Sequence, residues 1–177
     1  MERREILRLI SLSAIAPVIP TLASADVCAS AHAAISKEPY RLRFFTPEES
    51  KTLDEAMEII IPADGHSPGA HAAKVNLFAD WMVDNSGSDV QKRWRSGLLQ
   101  LREQAAKSSI GDVLAKAAAN EEHPASELDG FFVMLKQMAV DGYYTSEIGI
   151  HQDMQYQGND YLLSFPGCTH PEHQGKP

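Results

Sequence analysis

Cysteine is scarce in this chain, and its scarcity excludes the common ways of attaching a redox centre. Of 177 residues, only Cys28 and Cys168 are cysteines. Two thiols cannot hold an ordinary iron–sulfur cluster within one chain, and no C-x-x-C-H motif is present for covalent attachment of haem c. The glycines include no G-x-G pair, so the phosphate-binding turn of nicotinamide and flavin folds is also missing. We therefore expect no cofactor in this chain.

Basic residues are outnumbered by acidic ones, which argues against binding to nucleic acid or to an anionic membrane surface. The chain has 16 Lys and Arg against 24 Asp and Glu, a formal net charge of −8. Polyanionic partners reward clustered Lys and Arg, and the sequence contains no such cluster. No sustained run alternates between apolar and polar residues, so β-strands are not expected. The length suffices for one domain with a substantial core.

The chain begins with the features of a twin-arginine export signal. Arg3 and Arg4 supply the paired positive charge, a mildly apolar stretch follows, and the Ala-Ser-Ala ending at Ala25 fits a cleavage site. This route carries proteins that have already folded. Pro17 and Pro20 interrupt the apolar stretch, which disfavours a transmembrane anchor. We predict a periplasmic protein cleaved after Ala25; retention of the uncut segment, with membrane association through a complex, is the alternative.

Helical signals dominate the middle of the chain. Thr46 is placed as an N-cap, Pro47 stands at the first helical position and Glu49 completes a capping box, so a helix is expected to begin here. Pro62 ends this helix. Further apolar stripes at helical spacing follow, and the clearest spans residues 128–138. We predict an all-α fold, a small bundle of about five helices.

The predicted organisation has four parts. Residues 1–25 are the signal segment, residues 26–43 an Ala-rich and then polar linker, residues 44–142 the helical domain, and residues 143–177 a long irregular tail rich in aromatic residues. A tail of this length is either disordered or packed against something. Tyrosine offers a large contact area at low entropy cost, which favours packing, either against a partner or against the chain's own bundle. The predicted interface residues are Tyr143, Tyr144, Tyr156, Tyr161 and Phe165.

The two cysteines leave three arrangements open in an oxidising compartment. Cys28 and Cys168 pair with each other, Cys168 pairs with another chain, or neither cysteine forms a disulfide. A separate hypothesis is a metal site, because Cys168, His170 and His173 carry donor atoms suited to zinc or copper. Such a site would make the chain an independent periplasmic metal-dependent enzyme. A free-standing sugar-binding protein is a further alternative.

Four short segments of the chain, none of them a catalytic motif, form a pattern that is specific in its order and spacing. The segments are F-T-P-E-E at residues 45–49, I-I-P-A-D at 60–64 followed by P-G-A at 68–70, G-Y-Y-T-S-E-I-G at 142–149, and F-P-G-C at 165–168. The pattern resembles the small subunit (subunit 3, or gamma) of gluconate 2-dehydrogenase and of related membrane-associated flavin dehydrogenases. The resemblance covers roughly residues 44–170.

The resemblance implies a non-catalytic accessory subunit bound to a large FAD-dependent subunit of the glucose-methanol-choline (GMC) oxidoreductase type. In that family FAD of the large subunit accepts a hydride from a sugar, a sugar acid or a glycoside. Oxidation of a glycoside ring hydroxyl, as by a glucoside 3-dehydrogenase, fits as well as gluconate oxidation. A c-type cytochrome carrying haem c is the implied third subunit. Together with the export signal, this predicts a subunit that serves in twin-arginine export, maturation and stabilisation of the flavoprotein.

Overall fold

The computed structural model describes residues 25–37 and 39–158, and over these ranges the chain is all-α. The described residues form seven α-helices, one π-helix and no β-strand. The α-helices are α1 (Ala25–Ile35), α2 (Pro47–Ile60), α3 (Gly69–Ala72), α4 (Val75–Asp84), α5 (Ser88–Ala105), α6 (Ile110–Ala118) and α7 (Glu127–Tyr144), and the π-helix is Ile148–Asp153. The predicted all-α class is confirmed, and the five longer helices after α1 correspond to the predicted bundle.

Two of the helices begin at capping boxes. Thr46 Oγ1 accepts a hydrogen bond from the backbone N–H of Glu49 (3.2 Å), and the Glu49 carboxylate accepts one from the backbone N–H of Thr46 (2.8 Å). This is the predicted capping box, with Pro47 at the first helical position. Ser126 and Asp129 form the same box at the start of α7. Because these N–H groups are satisfied, each of the two helices starts at a defined residue.

The core is built around α7, which packs against α4, α5 and α6. Trp94 of α5 is buried, and its ring meets Phe131 of α7 edge to face with centroids 5.4 Å apart. Gly97 lies at this crossing, where a Cβ would overlap the Phe131 ring. Gly142 lies where α7 crosses α4, and a Cβ there would be only 2.8 Å from Cδ1 of Phe78. The two glycines allow close approach of the helices.

A buried carboxylate on α4 binds the segment that precedes α2. Asp80 is fully buried, and its Oδ1 accepts hydrogen bonds from the backbone N–H groups of Phe44 (3.0 Å) and Phe45 (2.8 Å). Its Oδ2 accepts from the backbone N–H of Arg43 (2.8 Å) and from the hydroxyl of Tyr40 (2.8 Å). Burial and the hydrogen bond to this carboxylate raise the pKa of Tyr40, so its hydroxyl remains a donor. The N-terminal edge of the domain is thus fixed by one side chain.

The structure differs from the predicted linker at residues 26–43, because the first part of this segment forms helix α1. Cys28, Ala31 and Ile35 lie on one face of α1, are buried, and cluster with Phe78 of α4. His32 stacks on the Phe78 ring with centroids 4.9 Å apart. Small alanines dominate this helix, so its buried face gives no strong apolar stripe in the sequence. Residues 25–35 are therefore not a linker.

The first part of the predicted tail also differs from an irregular chain. Tyr143 and Tyr144 form the last turn of α7, and the π-helix follows within four residues. The rest of the predicted tail, from residue 159 onward, lies outside the described residues, as does the predicted signal with Arg3 and Arg4. In the described part of the chain, no helix combines the length and the apolar character needed to cross a membrane.

Candidate partner-docking surface

The aromatic residues predicted to form an interface fall into three groups. Tyr144 and Tyr156 are exposed, with 41% and 44% of their surface accessible. Tyr143 is fully buried in the chain's own fold, so the prediction that it belongs to a surface is corrected. Tyr161 and Phe165 lie outside the described residues.

Tyr143 is buried because its hydroxyl has a partner inside the fold. The hydroxyl hydrogen-bonds to Oγ of Ser67, which is itself buried in the loop between α2 and α3. Gly149 of the π-helix packs directly on the backbone of Tyr143, where a Cβ would overlap the carbonyl oxygen. A ring with one polar group suits a buried site that offers one polar partner. Tyr143 therefore joins the loop 61–68 and the π-helix into one unit.

Asp64 fixes the shape of the loop 61–68. Its Oδ1 accepts hydrogen bonds from the backbone N–H groups of His66 (2.8 Å) and Ser67 (2.7 Å). The backbone N–H of Asp64 donates in turn to the Ser67 carbonyl (2.8 Å). The bonds from the backbone of His66 and Ser67 lower the pKa of Asp64, which keeps the carboxylate ionised as an acceptor. Aspartate is a common residue in such turns because its short side chain reaches the following N–H groups.

Glu58 and Gly69 close the same loop at its base. The Glu58 carboxylate accepts hydrogen bonds from the backbone N–H groups of Ala63 (2.9 Å) and His71 (2.8 Å). Gly69 has a φ of 79°, and a Cβ there would lie 2.5 Å from the Ala63 nitrogen and 2.6 Å from Oε1 of Glu58. Both the backbone conformation and the available space therefore require glycine. This geometry explains why P-G-A follows I-P-A-D at this spacing.

His66 connects the tip of the loop to the π-helix. Its Nε2 donates to the backbone carbonyl of Asp153 (2.9 Å) and lies 3.4 Å from Asp153 Oδ1. Tyr144 hydrogen-bonds to the same Asp153 side chain, and its pKa is raised, first by burial and then by the Asp153 charge. Residues 87 positions apart in the sequence thus meet at one junction.

Exposed apolar and aromatic side chains lie at this junction. Met154, which directly follows Asp153, is 51% exposed, more than either Tyr144 or Tyr156. The backbone N–H of Tyr156 donates to the carbonyl of Ile150 (3.0 Å), which holds this residue to the π-helix. Tyrosine and methionine are enriched in protein interfaces, and adjacent exposed apolar side chains mark interaction sites. We call the set His66, Tyr144, Met154 and Tyr156 the C-terminal surface.

Metal-binding side chains are not brought together in the described part of the chain. Over residues 25–37 and 39–158, no three His, Cys, Asp or Glu side chains are placed to hold one ion. His71 Nδ1 lies 2.6 Å from Oδ2 of Asp54, whereas His66 contacts Asp153, so the two histidines have separate partners. The hypothetical metal ligands Cys168, His170 and His173 lie outside the described residues.

Cys28 occupies a buried position on α1. Burial raises the pKa of its thiol, and a hydrogen bond with the Thr145 side chain opposes that shift while the Asp141 charge adds to it. A thiol with a raised pKa in a buried site exchanges slowly with disulfides. Cys168 lies outside the described residues, so the three arrangements of the cysteines remain predictions.

Sequence analysis did not identify the residues that support the C-terminal surface. The D-x-H-S order at residues 64–67 is a local turn signal, and it marks the loop as ordered. The contact of His66 with Asp153 and that of Ser67 with Tyr143 join distant segments, and a single sequence carries no signal for such pairs. Met154 stood outside the aromatic pattern and was missed for that reason.

The described geometry defines an all-α domain in which the loop 61–68 and the π-helix support exposed aromatic side chains. Comparison with models of protein families identifies the family of the chain. The family model described as gluconate 2-dehydrogenase subunit 3 matches residues 47–161, which is more than half of the chain. The chain belongs to this family, and the membership supports an accessory subunit of a dehydrogenase complex. No curated protein and no solved structure matches the chain.

Proposed function

We propose that this chain is the non-catalytic small subunit of a periplasmic FAD-dependent dehydrogenase complex, and that it docks through the C-terminal surface. The observation that carries the proposal is the exposure of Tyr144, Met154 and Tyr156 beside an ordered junction. The loop and the π-helix beneath these side chains are already ordered, so docking does not have to order their backbone. Family membership supports the accessory role.

The partner is a large flavoprotein of the GMC type, and the chemistry resides there. Its FAD accepts a hydride from a sugar, a sugar acid or a glycoside, and oxidation of a glycoside ring hydroxyl, as by a glucoside 3-dehydrogenase, is included. A c-type cytochrome with haem c completes the complex and takes the electrons onward. The small subunit stabilises the flavoprotein by binding its folded state, because a partner that binds only the folded form raises its stability.

Export of the complex depends on the twin-arginine signal of this chain. Helix α1 begins at Ala25, the predicted cleavage point, and its buried face packs on α4. The signal is therefore followed directly by a packed part of the domain. The twin-arginine route accepts folded cargo, so the folded flavoprotein travels with this chain.

Substitution at the C-terminal surface tests the docking role. Tyr144→Ala combined with Tyr156→Ala removes two exposed aromatic rings, whereas Leu99→Ala removes a side chain that is 57% exposed on α5 and serves as control. We expect the double variant to lower affinity for the co-expressed flavoprotein at least about tenfold, because aromatic anchors dominate interface energies. Equal retention of the flavoprotein by both variants would contradict docking through this surface.

Substitution of the arginine pair tests the escort role. With Arg3→Lys and Arg4→Lys in the co-expressed pair, we expect the flavoprotein to remain in the cytoplasm. A flavoprotein that is exported normally and stays active in this background would show that the signal does not serve the partner.

A further inference from the structure

Helix α1 begins at the place where the sequence predicts that the export signal is removed. The predicted cleavage breaks the peptide bond between Ala25 and Asp26, and α1 spans Ala25–Ile35. A peptidase binds the residues on both sides of its bond as an extended strand, through their backbone hydrogen-bonding groups. Residues in a helix therefore have to unwind before the bond between them is cut. The packing of α1 thus bears on how the signal is removed.

The sequence by itself offers more than one cleavage point after the apolar stretch of the signal. Three Ala-x-Ala triples satisfy the small-residue rule for such sites: A-S-A at 23–25, A-S-A at 29–31 and A-H-A at 31–33. The second and third triples lie inside α1 and share Ala31, which is fully buried. Cleavage after Ala31 or Ala33 would require most of the helix to leave the domain. The bond after the first triple, by contrast, lies at the helix end, and residues 25–27 are exposed.

Contacts along its whole length hold α1 on the domain. Cys28 in the first turn is 3% exposed and Ile35 in the last turn is 4% exposed, so the buried face runs from one end of the helix to the other. The Thr145 hydroxyl donates to the backbone carbonyl of Asp141 and therefore accepts from Nε2 of His32 (2.9 Å). This bond joins α1 to the C-terminal end of α7. The helix is thus a packed part of the fold.

Opening of the first turn of α1 is the smallest change that presents the Ala25–Asp26 bond in extended form. The backbone carbonyl of Asp26 accepts a hydrogen bond from Oγ of Ser30 (2.8 Å), so the residue after the bond is held to the second turn. The Asp26 carboxylate stands where the helix dipole favours a negative charge. Cys28 would lose its buried position in the same opening. Local opening is an equilibrium, and cleavage through the open form is slowed in proportion to its population.

We infer that the packing of α1 controls removal of the signal: the peptidase cuts only the Ala25–Asp26 bond, and only after the first turn of α1 has opened. The twin-arginine route carries folded proteins, so α1 is packed before the chain reaches a peptidase beyond the membrane. Hydrolysis of this amide uses one water molecule and leaves a carboxyl group on Ala25 and an amino group on Asp26. Cleavage is slow, and its product keeps Cys28. The inference rests on the proposed export role and adds the step that ends it.

An insertion tests whether the helix protects the bond. The segment D-V-G-S-G-S placed between Ala25 and Asp26 moves the bond away from α1 and leaves the residues on both sides of it unchanged. The same segment placed between Ser36 and Lys37, beyond the end of α1, is the matched control. The full-length chain is co-expressed with the flavoprotein, pulse-chase labelling measures the cleavage rate of the exported chain, and N-terminal sequencing identifies the bond. We expect the first insertion to raise the rate at least about tenfold and the control to leave it at the wild-type value.

Release of the buried face of α1 is the second perturbation. Ile35→Asp places a charge at a buried position, well beyond the first Ala-x-Ala triple, whereas Ser36→Asp makes the same kind of change at an exposed position. We expect Ile35→Asp to speed cleavage and to add products that begin at His32 or Ala34, because the triples inside α1 become accessible. Ser36→Asp should behave as wild type. The insertion before Asp26 changes no residue of α1, so it decides the question independently of how well Ile35→Asp folds.

The outcomes separate this inference from the export role on which it rests. Equal cleavage rates for the wild type and the insertion before Asp26 overturn the inference and leave the export role standing. A wild-type product that begins at His32 or Ala34 also overturns it, as does an insertion variant that is exported but remains uncut. A wild-type chain that stays in the cytoplasm together with the flavoprotein contradicts the export role, and the inference falls with it.

Discussion

Replacing Asp80 with asparagine should destabilise the protein, although the two side chains have nearly the same shape. The Oδ1 position can still accept from the backbone N–H groups of Phe44 and Phe45. At the Oδ2 position an NH₂ group would face two donors, the backbone N–H of Arg43 and the hydroxyl of Tyr40. The tyrosine hydroxyl can rotate to accept, but the N–H of Arg43 cannot. One buried donor is therefore left without an acceptor.

The size of the effect follows from these bonds. A hydrogen bond to a charged group contributes about 1.5–3 kcal/mol, and the two bonds kept at Oδ1 weaken when the charge is lost. We expect a total loss of about 3 kcal/mol in the free energy of unfolding. For a chain of this length that corresponds to a fall in Tm of about 6–12 °C.

Thermal and urea denaturation of the purified protein measure this loss, with Asp84→Asn as the control. Asp84 lies on the same helix, its side chain is 35% exposed, and it pairs with Arg43 at 3.9 Å. A pair of this kind contributes at most about 1 kcal/mol. If Asp80→Asn lowers stability no more than Asp84→Asn does, the buried carboxylate does not hold the N-terminal edge of the domain.

Three further predictions concern the folded chain. Burial lowers the pKa of His32 from 6.5, so the unfolded chain binds a proton at this imidazole at a higher pH than the folded chain does. The free energy of unfolding should therefore fall as the pH drops below about 6.5. Urea midpoints of wild type and His32→Gln should diverge in this range, and parallel curves would contradict the reasoning. Tyr143→Phe removes the bond to Ser67 and should cost about 1–2 kcal/mol in urea denaturation, and a cost no larger than that of Tyr144→Phe would refute it. Gly97→Ala forces a methyl group against Phe131 and should lower the free energy of unfolding by about 1–3 kcal/mol. Gly130→Ala meets no neighbouring atom and should raise it by about 0.5–1 kcal/mol. Similar melting temperatures for the two variants would show that α5 and α7 pack less closely at Gly97 than described.

Features that depend on neighbours in the sequence were predictable. The capping box at Thr46 needs residues three positions apart, and Pro62 breaks the helix that precedes it. The apolar stripe of α7 was visible because large side chains repeat at helical spacing. The start of the helical domain and its all-α class were therefore predictable from the sequence.

Features that depend on distant contacts were not predictable. Asp80 looks like any acidic residue on a helix until Phe44 and Phe45 are placed against it. Tyr143 and Tyr144 are adjacent tyrosines, yet one is fully buried and the other 41% exposed, because only the first faces Ser67. Aromatic content predicted a surface at this end of the chain, but the direction of each side chain is decided by the packing of α7 and the π-helix.

The central claim is that this chain is an accessory subunit whose partner carries the flavin. Affinity purification of the tagged chain from the periplasm of cells that co-express the flavoprotein tests it most directly, with the visible flavin spectrum and the subunit ratio as readouts. We predict a stoichiometric complex that contains FAD in the partner and oxidises a sugar, a sugar acid or a glycoside. A chain that purifies alone, with no flavoprotein and no flavin absorbance, would contradict the claim.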